Sequence, residues 1–153
     1  MLDRFEKLIL KALQRNGRAS TQELSDVVGL SPSPCWRRVK RLEDDGYILR
    51  YAAILDRKKL GLGAFAHVQV SLIDHSEASI GAFQTFIEQE EQVLECASIT
   101  GDFDFALKVA ATDPEALERF IMRKILRLGV VRTTTTTFIL RQMKVSGALP
   151  IEV

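Results

Sequence analysis

Between Gly29 and Leu42 the chain sets serine, proline, tryptophan and four basic residues in an order suited to contacting nucleic acid. Read as a helix at about 100° per residue, Cys35, Val39 and Leu42 fall at i, i+4 and i+7 and form one inward apolar stripe. Ser33, Arg37, Lys40 and Arg41 fall opposite, with Trp36 and Arg38 on the flanks. A helix with a small apolar foot and a basic outer face suits a DNA major groove. Lysine and arginine neutralise phosphates without regard to sequence. A bidentate arginine can also read guanine O6 and N7, worth about 1–3 kcal/mol of discrimination. Ser31 is placed as the N-cap, its hydroxyl accepting from the amides of the first turn, and Pro32 as the first helical residue. The expected DNA-contacting set is Ser31, Ser33, Pro34, Trp36, Arg37, Arg38, Lys40 and Arg41. In it Trp36 packs on a sugar or thymine methyl and Arg38 acts as a flanking clamp. Asp44 and Asp45 would repel phosphate and are placed beyond the groove.

A second stretch, Thr100-Gly101-Asp102-Phe103-Asp104, could cradle a small zwitterion. Gly101 allows close backbone approach, exposed amides can hold a carboxylate, and Asp102 or Asp104 can hold an ammonium. By spacing alone the same residues read as a hairpin turn, for which Gly-Asp is ordinary. The run Thr133–Thr137 could offer hydroxyls to a ligand, but threonine is equally a good strand former. Phe103 and Phe105 read as core more than as pocket. His67 and His75 have no Cys or His partner at metal-ligand spacing. There is no Ser/His/Asp set, phosphate loop or dinucleotide fingerprint. No metal, no cofactor and no enzymatic activity are expected.

These groups need elements to hold them. Phe5, Leu8, Ile9, Ala12 and Leu13 predict a helix over residues 3–15, closed by Asn16-Gly17. Ser20 and Glu23 form a capping box that opens a short helix packing Leu24, Val27 and Val28. Gly29 then turns the chain into the basic helix, which ends near Gly46. This is the helix-turn-helix plan. Tyr47–Leu49 and Tyr51–Leu55 read as short strands, a reduced wing, and the charged, glycine-rich run 56–63 as a hinge. From Ala64 to Leu72 the period is two, and Ile80, Phe83, Phe86 and Ile87 return to helical spacing. Val93–Thr100 and Phe105–Ala111 flank Gly101-Asp102 as a hairpin. Asp113-Pro114 opens a further helix with Leu117, Phe120, Ile121, Ile125 and Leu128 on one face, and Val130–Lys144 reads as the last strand. The order βαββαβ is that of a ferredoxin-like module. The fold expected is α+β: a winged helix-turn-helix domain over 1–60, then a ferredoxin-like βαββαβ domain over 61–153.

Composition fits this plan. The chain has 153 residues, 46% hydrophobic and 27% charged, as soluble globular proteins do. No apolar run approaches the ~20 residues that span a bilayer, and the N-terminus lacks a signal-peptide plan. Cys35 and Cys96 read as a pair of buried thiols in a reducing compartment. The expected location is the cytoplasm, with no membrane partner. Net charge is only +1, but the charge is uneven. Residues 1–50 carry ten Lys/Arg against seven Asp/Glu, and the remainder eleven against thirteen.

Four local stretches together resemble the Lrp/AsnC (feast/famine) family of bacterial and archaeal transcription regulators. They are Leu2-Asp3 with Ile9-Leu10; Leu30 to Cys35 with Arg38-Val39 and Arg41-Leu42-Glu43; Gly46-Tyr47-Ile48 with Tyr51; and Thr100 to Phe105 with Leu107-Lys108-Val109. Each alone is weak, but their shared order and spacing cover nearly the whole chain. The resemblance implies a sequence-specific regulator of double-stranded DNA that responds to an amino acid or related small-molecule effector. It implies self-association through the second module's sheets, as a homodimer that extends to a tetramer or octamer. It also implies an effector site near Thr100, Gly101, Asp102, Phe103 and Asp104, with Thr133 and Thr135 close by. Many members carry a proline before the glycine matching Gly129, where this chain has Leu128. The alternative reading is a metabolite-sensing architectural module that binds DNA without sequence preference.

Overall fold

The computed structural model describes all residues, Met1–Val153. Helix α1 (Arg4–Arg15) starts where Asp3 and Glu6 cap each other's backbone amides, a box the sequence reading passed over. Helix α2 (Thr21–Val28) has the expected Ser20/Glu23 box. Gly29 follows with φ 72°, a left-handed conformation that side-chain-bearing residues resist, and aims the chain into α3 (Pro32–Asp44). Ser31 holds the N-cap position of α3, but its hydroxyl makes no capping bond, contrary to expectation. The reason lies two residues on from the first helical position. Pro34 occupies the third helical position and has no N–H to donate. Ile9, Leu10, Leu24, Val28, Cys35 and Leu42 form the core of this head.

Residues 47–55 form neither of the two short strands expected there. Tyr51 is tied instead through its hydroxyl to Glu43 at 3.0 Å. Burial and that carboxylate push the Tyr51 phenol up to about 12. The last ten residues, Lys144–Val153, pack with this head. The Gln14 side-chain amide donates to the Leu149 carbonyl at 3.2 Å and accepts from the Leu149 N–H, and Ile151 packs on the head's core. The two units are therefore Met1–Ile54 with Lys144–Val153, and Leu55–Met143. This differs from the division expected from sequence, 1–60 and 61–153, which leaves the tail with the second domain. The apolar residues of this short tail, Val145, Ala148, Leu149, Ile151 and Val153, show no helical or strand periodicity that would reveal its docking.

The second unit follows the expected βαββαβ order: β1 (Ala64–Leu72), α4 (Glu77–Gln89), β2 (Val93–Ser98), β3 (Phe105–Ala111), α5 (Pro114–Phe120) and β4 (Val131–Phe138). Its antiparallel sheet runs β2-β3-β1-β4. Alternation along β1 turns Ala64, Ala66, Val68, Val70 and Leu72 into a core shared with Phe83, Leu117, Phe120 and Ile125. After α5 the helix loosens into a π turn (Ile121–Ile125) and a 3-10 turn (Leu126–Leu128), which carries its apolar face onward to Leu128. β4 stops at Phe138, six residues short of the expected Lys144. Cys35 is buried as expected, but Cys96 is exposed on the edge strand β2, and both are free thiols. No helix is long and apolar enough to cross a membrane.

Candidate nucleic-acid interface and ligand loop

Ser33, Trp36, Arg37 and Lys40 share one exposed face of α3 at i, i+3, i+4 and i+7, while Cys35 and Leu42 face the core. Ser31 is exposed and Pro34 half-buried at the start of the helix. Trp36 keeps 56% of its surface exposed. Lys40 reaches along its own helix to Asp44 at 2.9 Å, and that carboxylate holds its ammonium above the ordinary lysine range. Arg37 is exposed and enters none of the protein's ion pairs. Arg38 and Arg41 are tied to carboxylates of α1, although Arg41 keeps 56% of its side chain exposed. Arg38 pairs with Asp3 and lies 5.4 Å over the Phe5 ring, and Arg41 pairs with Glu6. The structure thus brings Ser33, Trp36, Arg37 and Lys40 together and turns Arg38 and Arg41 toward α1. Glu6 is fully buried, so its charge needs a cationic partner. The helical wheel of one segment cannot reveal a demand made by another.

In the loop before β3, Thr100, Gly101 and Asp102 are exposed, while Phe103 and Asp104 are half-buried. Gly101 has φ 115°, which favours glycine. The two acids have different tasks. Asp104 Oδ2 accepts from the Leu72 N–H at 2.8 Å, Oδ1 meets His75 Nε2 at 2.7 Å, and the Asp104 N–H donates to Val70 O at 3.0 Å. The Asp102 carboxylate has no such partner, though its backbone carbonyl accepts from Ser71 Oγ at 3.3 Å. On the far side of β1, Thr133 stands opposite Ser71 and Thr135 opposite Gln69, both exposed. Asp104 and Thr133 therefore flank the same stretch of β1, Val70–Leu72, and the arrangement offers exposed backbone, one unpaired carboxylate and hydroxyls together.

Two family models match this chain. One, described as winged helix-turn-helix DNA-binding, covers residues 2–48, and the other, the Lrp/AsnC ligand binding domain, covers residues 65–149. The chain belongs to the Lrp/AsnC family. It is 40% identical to the proline dehydrogenase transcriptional activator of Rhizobium radiobacter, over 95% of this chain and 94% of that one. It is 37% identical to the leucine-responsive regulatory protein of Escherichia coli K12, over 99% and 92%. Among solved structures, a Neisseria meningitidis transcriptional regulator in complex with L-Met superposes with a TM-score of 0.95 at 36% identity, covering 98% of this chain and 97% of that one. The chain is thus an Lrp/AsnC DNA-binding transcriptional regulator with a ligand-binding module.

Within this Lrp/AsnC fold, sequence reasoning missed His75, Ser71 and the α1 carboxylates. Metal-ligand spacing gives His75 no role, and the signal that could find it is a carboxylate whose loop must return to the β1 end. The His75 hydrogen bond, then the Leu72 amide, hold the Asp104 carboxyl below the usual carboxylate range. Its bracing is present in full above about pH 3.9 and is lost as pH falls through the depressed folded value. His75→Ala is expected to move the Asp104 titration upward, toward that ordinary value, as followed by carboxyl carbon NMR. An unmoved titration would mean that His75 does not brace the loop.

Proposed function

We propose that this regulator reads a specific DNA sequence with α3 and couples that reading to an amino acid held at the 100–104 loop. The observation that carries the DNA reading is Arg37: an exposed, unpaired guanidinium between Ser33, Trp36 and Lys40 on one face of α3. Arg37 reads a base edge, Ser33 and Lys40 hold phosphates, and Trp36 packs on a sugar or thymine methyl. Ser31 and Pro34 lie at the backbone where the helix enters the groove. In a homodimer the two helices would enter successive major grooves about one helical turn apart.

Asp102 is the carboxylate available for an ammonium, with the Gly101 backbone and the hydroxyls of Thr133 and Thr135 beside it; Thr100 and Phe103 complete the loop. The names of two relatives, one leucine-responsive and one solved with L-Met, favour an amino acid as effector. Self-association is supported by apolar residues that no element of the chain covers: Leu49, Ile54 and Leu140 are 91%, 90% and 95% exposed. The open sheet face, with His67, Thr133, Thr135 and Thr137, is the proposed pairing surface for a dimer that extends to a tetramer or octamer. The effector would shift the balance of assemblies only by its differential affinity for them. A DNA regulator of this kind works in the cytoplasm.

Selection of duplexes from a random library by the purified full chain tests this reading. One motif is expected to enrich and to survive excess random DNA, and its affinity or the assembly size to shift with one of the common amino acids. Binding without enrichment would instead mark an architectural module with no sequence preference.

A further inference from the structure

We propose that Asp3 and Glu6, the N-cap and first turn of α1, are positioning residues for DNA reading: they tether Arg38 and Arg41 to α1 and leave Arg37 as the base-reading arginine of α3. This rests on α3 being the recognition helix.

Each carboxylate has two oxygens and divides them. Asp3 Oδ1 accepts from the Glu6 N–H at 2.9 Å and Glu6 Oε2 from the Asp3 N–H at 2.9 Å, which completes the capping box. Their other oxygens serve the recognition helix. Asp3 Oδ2 meets the Arg38 guanidinium, and Glu6 Oε1 meets Arg41 and stands 3.8 Å from Arg38 Nη1. The Phe5 ring closes over Arg38 from the same turn. One turn of α1 thus grips two successive turns of α3.

The grip sets both the orientation of α3 and its chemistry. Glu6 is entirely shielded from solvent, so Arg41 could swing to a phosphate only by weakening the compensation of a buried charge. Arg38, with 28% of its side chain exposed, is further constrained by its ring contact. Removing either carboxylate's charge would loosen the angle at which Arg37 meets a base and free a guanidinium for phosphate. Sequence preference and non-specific affinity should then move in opposite directions.

The test uses Glu6→Gln, because glutamine preserves a capping box while removing the charge. Affinities of the full chain for its selected duplex and for a random duplex are measured across a salt series. The selected-to-random ratio is expected to fall about tenfold, while the random-duplex salt slope steepens by about 0.9 as Arg41 gains a phosphate. Arg41→Ala should lower the ratio and leave the slope at its wild-type value, and the double variant should be no worse than either single one. The proposal is overturned if Arg41→Ala flattens the slope by about 0.9, or if Glu6→Gln leaves the ratio unchanged. Should Glu6→Gln fail to fold, Asp3→Asn with Arg38→Ala makes the same comparison at the more exposed pair. Arg37→Ala is the control for the underlying reading: if it leaves the selected duplex bound as before, α3 is not the recognition helix and both readings fall.

Discussion

Replacing Arg37 with alanine is expected to weaken binding of the selected duplex about 5- to 150-fold and to relax preference at one base pair, the range of a lost bidentate base contact. The expectation follows from a comparison within one helix. Of the four basic side chains between residues 37 and 41, Arg38 and Arg41 answer to carboxylates on α1, and Lys40 answers to Asp44. Arg37 alone reaches the surface without an internal partner. Electrophoretic competition against random DNA reads the effect. A uniform loss on both DNAs would instead make Arg37 a phosphate contact, and no loss would take α3 out of the interface.

The second large effect is expected far from any charge. Phe83→Ala should cost about 3–5 kcal/mol of stability, the range for truncating a buried phenylalanine. Phe83 on α4 is 1% exposed and its ring lies 4.7 Å from that of Phe105. Phe105 follows Asp104 directly, so this ring pair also seats the loop at the mouth of β3. Urea denaturation of the full chain should show the loss as a lowered midpoint for the ligand-binding module. A change under about 1 kcal/mol would show that the site collapses onto the missing ring. Amino acid response should weaken with the ring, because the loop it anchors carries Asp102.

What could be read from the chain beforehand followed from local signals. The β1 alternation, the Ser20/Glu23 box and the Asp113-Pro114 start each describe a segment by its own residues, and each reappears in place. The failures share the opposite property. Residues 47–55 have strand-like composition, but a strand needs a partner and the chain supplies none. Arg41 faces outward on a helical wheel, yet Glu6, thirty-five positions earlier, holds it. Cys96 reads as a buried thiol by residue type, but its strand is at the sheet edge and exposed from Leu94 to Ser98. Ser31 had the right side chain, and Pro34 withheld the amide it needed. In the loop, composition marked Asp102 and Asp104 as equals, and only the fold separates a brace made with Leu72 and His75 from an unpaired carboxylate.

The head takes in Lys144–Val153, with Ile151 packed on its core and the Leu149 backbone bonded to the Gln14 side chain. Synthesis runs from the N-terminus, and domains tend to fold as they emerge. Here a part of the DNA reader, Lys144–Val153, follows the ligand-binding module in the chain and leaves the ribosome only after residues 55–143 have been made. A substitution at Ile151 is therefore a change in the packing of the DNA reader, not of the module whose sequence it follows.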